Sequence, residues 1–348
     1  MLNLPKANRV VVVLVDGLGA RLLKRFAGYA PTLRAAAAAA GSTTLDTVFP
    51  TTTAAALTSL ATGLAPGQHG VVGYDVLDPV KRRVVNQLGA WPGDLDPLAW
   101  QPEQTLFEKL SANRHVATVS RPKFKNSALT RAGLRGGAFV EANTPGARVR
   151  GVLETLRQHR DALVYLYWDD LDKAGHGFGV ESQSWLNALE ELDSSMRRLV
   201  AGVGSNTTVL LTADHGMVDV PASGRIDYSE FPELLEGVQL TAGEPRGVQL
   251  HFAPEASPEV REGTIAAWKE RFGENAWVLT RAEVLDAGWL GPVTREGVAE
   301  RFGDVLIAAH GPIALYDGRR VAPHAFEMVG QHGSLTPVER KVPLLRLA

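Results

Sequence analysis

Three apolar runs, each followed by aspartate, restrict the possible folds of this chain more than any other feature. The runs and the acidic residues after them are 10–15 before Asp16, 162–168 before Asp169, Asp170 and Asp172, and 207–212 before Asp214. A continuous apolar run of this length is typical of a strand buried on both faces of a parallel sheet. Helical patterns follow these strands, so the sequence predicts an α/β fold with a doubly wound, mostly parallel central sheet.

The residues after these strands are candidates for a functional site, because ligands of open α/β sheets bind beyond the carboxyl ends of the strands. Asp172 and His176 are four residues apart, a spacing that allows both to lie on one face of a turn or short helix. Asp214 and His215 are adjacent, and a bend at the strand end would let both reach one metal ion. Taken alone, Asp16 fits a turn or a helix cap equally well.

The stretch Phe49-Pro50-Thr51-Thr52-Thr53 predicts a turn that opens a helix. Proline fixes its own φ angle and disfavours a helical conformation of the residue before it. A helix N-terminus offers free backbone donors and a partial positive charge, which suit a phosphate or an activated alkoxide. We therefore consider Thr53 as a metal-activated nucleophile, and the alternative is a threonine hydroxyl that only caps the helix.

Seven polar groups are expected to meet at this edge of the sheet. They comprise three carboxylates, three imidazoles and one hydroxyl: Asp16, Asp172, Asp214, His176, His215, His332 and Thr53. Oxygen and imidazole ligands without thiolate suit zinc, manganese or iron, or magnesium if some of the histidines are not ligands. Seven groups fit two ions better than one, and two ions about 4 Å apart can stabilise an in-line displacement at phosphorus.

The composition excludes several other classes of protein. The 348-residue chain has a formal net charge of -2, which argues against a general binder of nucleic-acid polymers or of membrane surfaces. It contains no cysteine, which excludes disulfides, thiolate ligands and cysteine nucleophiles. No signal-like leader and no long apolar run is present, so a cytoplasmic protein that acts on a small molecule is expected.

The domain organisation follows from a change in composition near residue 222. From there to about 310 the chain is rich in proline, glycine and acidic residues, with short mixed elements. We interpret residues 222–310 as an inserted, cap-like subdomain, and residues 1–221 and 311–348 as the catalytic domain.

Taken together, the motifs resemble the type I phosphodiesterase/nucleotide pyrophosphatase family of the alkaline phosphatase superfamily. The matching positions are Val15-Asp16-Gly17, Pro50-x-x-Thr53, Thr62-Gly63-Leu64-x-Pro66, His69-Gly70, Asp172-x-x-Gly175-His176, Asp214-His215-Gly216-Met217 and His332-Gly333. The resemblance implies an alkaline-phosphatase-like three-layer sandwich and two divalent metal ions, zinc or alternatively manganese. By motif, Asp16, Thr53, Asp214 and His215 would bind one ion, and Asp172, His176 and His332 the other.

The resemblance also implies a two-step reaction on a phosphodiester or a nucleotide pyrophosphate. Thr53 attacks phosphorus, and the resulting phospho-threonine is then hydrolysed. Two departures from the family pattern concern the substrate: residues 54–57 read Ala-Ala-Ala-Leu where the family often has Phe-Pro-Asn-His, and Tyr74 falls where the family places an asparagine against the phosphoryl oxygen. Because a tyrosine hydroxyl can also donate a hydrogen bond, Tyr74 is a candidate substrate-binding residue.

Other functions remain open on the same residues. A phosphomonoesterase or a phosphonoacetate-type hydrolase would use the same metal ions, and a non-catalytic metal-binding protein is a further alternative. A cofactor-independent phosphosugar mutase fits less well. The mutases of this superfamily are usually longer, use a serine nucleophile and carry a large inserted domain. Lys123 and Arg246 are candidates for a charged contact to substrate, and the alternative for each is an ordinary surface charge.

Overall fold

The computed structural model describes residues 6–348, and its strands and helices alternate through much of the chain. The strands are β1 (Arg9–Val15), β2 (Thr43–Asp46), β3 (Asp75–Asp78), β4 (Arg83–Asn86), β5 (His115–Ser120), β6 (Ala138–Glu141), β7 (Ala162–Trp168), β8 (Thr207–Ala213), β9 (Val218–Asp219), β10 (Arg225–Asp227), β11 (Val238–Glu244), β12 (Gly247–Phe252), β13 (Ala276–Thr280), β14 (Val305–Ala309), β15 (Ala314–Tyr316), β16 (Gly330–Gln331) and β17 (Lys341–Arg346). The α-helices are α1 (Ala20–Arg25), α2 (Pro31–Ala38), α3 (Thr53–Thr62), α4 (Pro66–His69), α5 (Pro97–Trp100), α6 (Leu106–Ser111), α7 (Ala128–Gly133), α8 (Pro145–Gln158), α9 (Asp170–Phe178), α10 (Gln183–Gly202), α11 (Pro258–Phe272), α12 (Arg281–Asp286) and α13 (Pro337–Arg340).

The central sheet has seven strands in the order β2-β17-β8-β1-β7-β5-β6. Strands β8, β1, β7, β5 and β6 are parallel, whereas β17 runs antiparallel to both β8 and β2. The three apolar runs form β1, β7 and β8, which are neighbours in the middle of the sheet. The predicted mostly parallel sheet is therefore confirmed.

Helices cover both faces of this sheet. On one face, Val11, Val13 and Val15 of β1 pack in a large apolar cluster that includes residues of α1, α2, α8 and α10. On the other face, Leu14 packs with Leu57 of α3 and a smaller set of apolar side chains. Because neighbouring side chains of a strand point to opposite faces, one apolar strand serves both layers. This is the expected three-layer arrangement.

A second sheet has the order β13-β14-β12-β11-β3-β4 and is antiparallel throughout. Four of its strands lie within residues 222–310, but β3 and β4 come from residues 75–86, well before that segment. Helix α11 covers one face through the buried side chain of Trp268. The boundaries at 222 and 310 therefore stay a prediction, and the sheet itself joins two distant parts of the chain.

Arg246 connects the second sheet to the last segment of the chain and is not a surface charge. Its guanidinium is 1% exposed and forms a bidentate pair with Glu339 of α13, at 2.8 and 3.0 Å. The remaining N–H groups donate to the carbonyls of Ala309, Gly311 and Ile313. Since all five guanidinium donors have partners inside the protein, the hypothesis that Arg246 binds substrate is wrong.

Within the described part of the chain, none of the helices is both long and apolar enough to span a membrane.

Candidate active site

The order of the central strands brings the predicted acidic residues together. In the register of the sheet, Val15 lies opposite Ala213 of β8 on one side and Trp168 of β7 on the other. The next residues along the chain are Asp16 and Asp214, which are both buried. Three neighbouring parallel strands thus end at the same level, and their following residues face one site.

The turn after β1 depends on Gly17, which has a φ angle of +75°. A Cβ atom at this position would lie 3.2 Å from the Cα atom of Asp172 at the start of α9. The backbone N–H group of Gly17 donates to Oδ1 of Asp214 at 3.1 Å. Glycine therefore allows both the left-handed turn and the close approach of two acidic residues to Asp16.

Helix α3 begins at Thr53, as predicted, and places this hydroxyl at the acidic cluster. Oγ1 of Thr53 lies 3.5 Å from Oδ1 of Asp16 and 3.3 Å from Nε2 of His215. The capping alternative is not observed, because Thr52 occupies the N-cap position and its side chain makes no capping hydrogen bond. The hydroxyl of Thr51 instead donates to the carbonyl of Ser334. Thr53 is thus the threonine of this turn that faces the cluster.

The candidate metal ligands form two overlapping groups in the described residues. One potential ligand atom from each of Asp16, Asp214 and His215 lies within 4.8 Å of the others, and the same holds for Asp172, His215 and His332. Nε2 of His176 lies 3.3 Å from Oδ1 of Asp172. His215 is therefore a member of both groups, whereas the family resemblance assigns it to the first group alone.

Two carboxylate oxygens in this cluster lack hydrogen-bond partners among the described residues and are suitable for binding cations. Oδ1 of Asp172 and Oδ2 of Asp214 are buried and have no hydrogen-bond partner among the described residues. A buried carboxylate oxygen without a partner is costly, and coordination of a divalent ion removes that cost. The donor set of carboxylates and imidazoles also fits zinc or manganese, so the residues present are suitable for a two-metal centre.

The electrostatics of the cluster favour the same conclusion. Burial, with the nearby charges of Asp172 and Asp214, raises the pKa of Asp16 well above its usual range. Burial likewise raises the pKa of Asp214, and it lowers the pKa of His332 well below the usual value. A bound divalent cation would relieve the repulsion between the carboxylates, and a neutral imidazole keeps a lone pair for coordination.

Polar residues outside the predicted set support the site. The hydroxyl of Tyr167 donates to Oδ2 of Asp16. Arg121 pairs with Asp169 and with Asp170, which lie just before Asp172 in the sequence. The alternation Tyr-x-Tyr at the end of β7 is the sequence signal for the first contact, but its meaning depends on the strand order. The arginine contact joins residues 48 positions apart, and no local pattern indicates it.

A cavity of about 500 Å³ opens over the cluster. Asp16, Thr53, Asp172, His176 and His332 all line it. Its remaining walls come from both sheets, through β5 and β7 of the central sheet and β11 and β12 of the second. This volume is typical of sites that bind an organic ligand and is larger than a phosphate group requires.

Tyr74 and Lys123 both line this cavity, as expected for substrate-binding candidates. The backbone N–H of Tyr74 donates to Oε2 of the buried Glu244 at 3.0 Å, which holds the tyrosine at the cavity wall. Among the described residues, no carboxylate lies within salt-bridge distance of the Lys123 ammonium group. The roles of both residues stay predictions.

His69, for which the sequence allows either a ligand or a structural role, is structural. Its Nδ1 accepts the backbone N–H of Val71 at 3.1 Å, and its Nε2 lies 2.8 Å from Oγ of Ser59. The first contact requires an unprotonated Nδ1, so Nε2 carries the proton and donates to Ser59. Burial is the main reason why the pKa of His69 is lowered to about 3.

We expect His69→Gln to destabilise the protein more at pH 7.5 than at pH 5. The unfolded histidine binds a proton below its ordinary pKa near 6.5, whereas the folded one does not until about pH 3. The contribution of His69 is therefore complete above pH 6.5 and falls by about 1.4 kcal/mol per pH unit below it. Urea unfolding at several pH values measures this difference between the two proteins.

His324→Gln is the matched control, because this histidine is exposed. Its free energy of unfolding should follow that of the wild type at every pH. A constant difference between wild type and His69→Gln from pH 7.5 to 5 would show that His69 titrates normally and would contradict the assignment.

Comparison with known proteins identifies similar sequences. A family model described as type I phosphodiesterase / nucleotide pyrophosphatase matches residues 10–335. Mouse bis(5'-adenosyl)-triphosphatase enpp4 is 24% identical over 182 residues, which are 49% of this chain and 38% of that protein. The chain thus matches well under half the length of this relative.

Solved structures with low sequence identity share the fold. Human ectonucleotide pyrophosphatase / phosphodiesterase 5 superimposes with a TM-score of 0.76 at 17% identity, covering 97% of this chain and 87% of that one. Phosphonoacetate hydrolase from Sinorhizobium meliloti 1021 in complex with phosphonoacetate gives 0.74 at 18% identity, covering 100% and 92%. The predicted alkaline-phosphatase-like fold is confirmed by these neighbours.

Proposed function

The chain belongs to the type I phosphodiesterase / nucleotide pyrophosphatase family, and on that premise we propose that it hydrolyses phosphodiester or nucleotide pyrophosphate bonds through a phospho-threonine intermediate. The observation that carries the proposal is the position of the Thr53 hydroxyl at a cluster of three aspartates and three histidines, of which Asp16, Asp214 and His215 are buried. Polar clusters of this kind are costly to fold, and they occur mainly at functional sites.

The six acidic and imidazole residues of the cluster form two sets of metal ligands in this proposal. Asp16, Asp214 and His215 would hold one divalent ion beside Thr53, and Asp172, His176 and His332 would hold a second. When bound, such ions lower the pKa of a hydroxyl nucleophile and neutralise charge that develops on phosphoryl oxygens. Zinc is the ion that the ligand set favours, with manganese as the alternative.

The protein itself orients the nucleophile and the substrate. The helical position of Thr53 fixes its backbone, and the free N–H groups at the start of α3 stabilise negative charge near the hydroxyl. Tyr74, held at the wall by Glu244, would donate a hydrogen bond to a phosphoryl oxygen. The size of the cavity favours a diester over a small monoester, because a bound phosphate alone would leave most of the space unfilled.

Hydrolysis of phosphonoacetate is a second candidate function. The Lys123 ammonium group lines the cavity without a carboxylate partner among the described residues and would suit a second anionic group on the substrate. Similarity of fold to a phosphonoacetate hydrolase agrees with this candidate but does not favour it over the first.

We expect the zinc-loaded protein to hydrolyse bis(p-nitrophenyl) phosphate at least about tenfold faster than p-nitrophenyl phosphate, and chelation to remove both activities. Release of p-nitrophenolate measures both reactions, and release of inorganic phosphate from phosphonoacetate is measured beside them. A preference for the monoester would identify a phosphatase. Phosphate release from phosphonoacetate alone would support the second candidate, and no reaction with any of the three would contradict the proposal.

A further inference from the structure

Thr51 joins the turn before helix α3 to residues 330–334, which we call the ligand segment because they include His332. Thr51 is 0% exposed, and its hydroxyl donates to the carbonyl of Ser334 at 2.7 Å and accepts the N–H of Gly333 at 3.0 Å. The backbone carbonyl of Thr51 accepts from Nδ1 of His332 at 2.8 Å. Three hydrogen bonds thus hold the ligand segment against this turn, and the side chain of Thr51 makes two of them.

The contact with Thr51 determines which nitrogen of His332 can bind a metal ion. A carbonyl oxygen only accepts hydrogen bonds, so Nδ1 of His332 carries the proton and the lone pair is on Nε2. This Nε2 lies 3.9 Å from Oδ1 of Asp172, a buried oxygen without a hydrogen-bond partner among the described residues. The imidazole also stacks on that of His215, with the ring centroids 3.6 Å apart. Nδ1 therefore faces Thr51, while Nε2 faces the candidate metal centre.

The ligand segment also orients a second candidate ligand. Nδ1 of His176 donates to the carbonyl of Gly330 at 2.7 Å, which leaves its Nε2 free for coordination. His215 belongs to the first set of proposed ligands, and its Nδ1 donates instead to the carbonyl of Gly216, outside the segment. Both imidazoles proposed for the second ion thus depend on the ligand segment, whereas the imidazole proposed for the first ion does not.

Gly333 allows the close packing of the ligand segment. Its φ angle is +127°, and a Cβ atom at this position would lie 2.3 Å from Cγ of the buried Glu244. The N–H of the next residue, Ser334, donates to Oε1 of Glu339 at 3.0 Å. The backbone of the segment is therefore bonded both to α13 and to the turn before α3, and the hydroxyl of Thr51 makes part of the second connection.

We propose that Thr51 is a positioning residue, whose hydroxyl holds the ligand segment so that His332 binds the second divalent ion. This inference rests on the two-metal centre of the proposed function. It gives one short turn two tasks, since Thr53 supplies the nucleophile and Thr51 fixes a ligand of the ion. Removal of an outer hydrogen-bonding partner typically weakens the binding of a metal ion about 10- to 100-fold.

The test is a titration of the metal-free protein with Co(II), followed by visible absorption in the presence of a competing chelator. Wild type should bind two ions. Thr51→Val keeps the size of the side chain and removes both of its hydrogen bonds, so one Co(II)-binding step should weaken about 10- to 100-fold and the other by less than about threefold. Thr51→Ser keeps the hydroxyl, and both of its binding steps should stay within about threefold of wild type.

Thr105→Val is the matched control. Thr105 is also 0% exposed, and its hydroxyl likewise joins two backbone groups, donating to the carbonyl of Arg135 at 2.6 Å and accepting the N–H of Glu108 at 3.0 Å. It does not line the cavity. In chelator, both valine variants should unfold at a lower temperature than wild type, because each loses two hydrogen bonds. Co(II) binding should change in Thr51→Val and not in Thr105→Val.

A double variant tests whether Thr51 acts through His332. His332→Ala alone should weaken the same Co(II)-binding step as Thr51→Val. When the two changes are combined, the loss of affinity should be smaller than the product of the two separate losses, because both act on one ligand. Losses that multiply in the double variant would show that the two residues act independently and would overturn the inference.

Co(II) binding is measured without turnover, so the inference and the proposed function can fail separately. The expected change in Thr51→Val, found in a protein that hydrolyses no phosphate ester, would support the inference alone. Equal weakening of both steps, or of neither, in an active protein would overturn the inference and leave the proposed function. Binding of fewer than two ions by wild type would overturn both.

A second variant covers the case in which Thr51→Val does not fold. Thr51→Ala removes the same hydroxyl and is then titrated in its place, with the same weakening of one step expected. Failure of both variants to fold, beside a folded Thr105→Val, would show that the fold itself needs this hydroxyl and would overturn a role specific to His332.

Discussion

Replacement of Thr53 by alanine is expected to lower kcat/KM for a diester by on the order of 10³-fold or more, while the protein stays folded and keeps its metal ions. The hydroxyl oxygen of this side chain lies 3.5 Å from Oδ1 of Asp16 and 3.3 Å from Nε2 of His215. Alanine is a good helix former, so α3 should persist. The six Asp and His side chains of the cluster are unchanged and should still bind metal.

The measurement is turnover of a chromogenic diester together with metal content by elemental analysis. Thr53→Ser keeps a hydroxyl and should retain part of the activity, and Thr52→Ala should retain most of it because the Thr52 side chain makes no capping bond. In acid-quenched wild-type protein, mass spectrometry should find a phosphoryl group on the peptide containing Thr53. Turnover of Thr53→Ala within about tenfold of wild type would place the nucleophile elsewhere.

The sequence predicts those parts of this site that depend on a single local rule. Parallel strands end at one edge of the sheet, and this rule places Asp16 and Asp214 at the same edge. The start of a helix at Thr53 follows from the proline three residues earlier and the absence of any breaker until Gly63. In each case the determining residues are within a few positions of the functional one.

The features that the sequence does not predict depend on contacts between distant residues. Strand β3 pairs with β11 more than 160 residues later, which puts Tyr74 beside Glu244 at the cavity wall. Arg246 appears in the sequence as one arginine among many, and only the position of Glu339 shows that it is buried and paired. Composition alone cannot distinguish a solvated charge from a buried one when the partner is 93 residues away.

The same limit applies to specificity. The seven candidate metal-ligating and nucleophile groups lie in short local motifs, and these predict the chemistry. The walls of the cavity come from β5 and β7 of the central sheet and from β11 and β12 of the second, and only the pairing of the strands brings their residues together. The reaction class is therefore easier to infer from the sequence than the substrate.

Asp214→Asn is expected to remove at least one metal ion per chain and to lower kcat/KM by about 10³-fold, without loss of the fold. Oδ1 of Asp214 accepts the N–H groups of Gly17 and His215, at 3.1 and 2.9 Å, and an asparagine oxygen preserves both bonds. Oδ2 is the buried oxygen without a partner in the described residues. An amide nitrogen in its place cannot bind a cation.

Asp193→Asn is the control for the loss of a buried carboxylate. Its oxygens accept the N–H groups of Thr32 and Leu33 at the start of α2, away from the cavity. This variant should lose about 1 kcal/mol of stability and keep its metal content and its activity.

The stability of the metal-free proteins gives a test that does not depend on turnover. Because the folded pKa of Asp214 is raised, its ionisation destabilises the folded state once the pH rises above the unfolded value near 3.9. Asparagine removes this cost, so in chelator at pH 7 the Asp214→Asn protein should unfold at the same or a higher urea concentration than the wild type. Added zinc should then reverse the order, since only the wild type gains the full binding energy of both ions. Equal stabilisation of the two proteins by zinc would show that Asp214 is not a ligand. The metal site would then be the one formed by Asp172, His215 and His332.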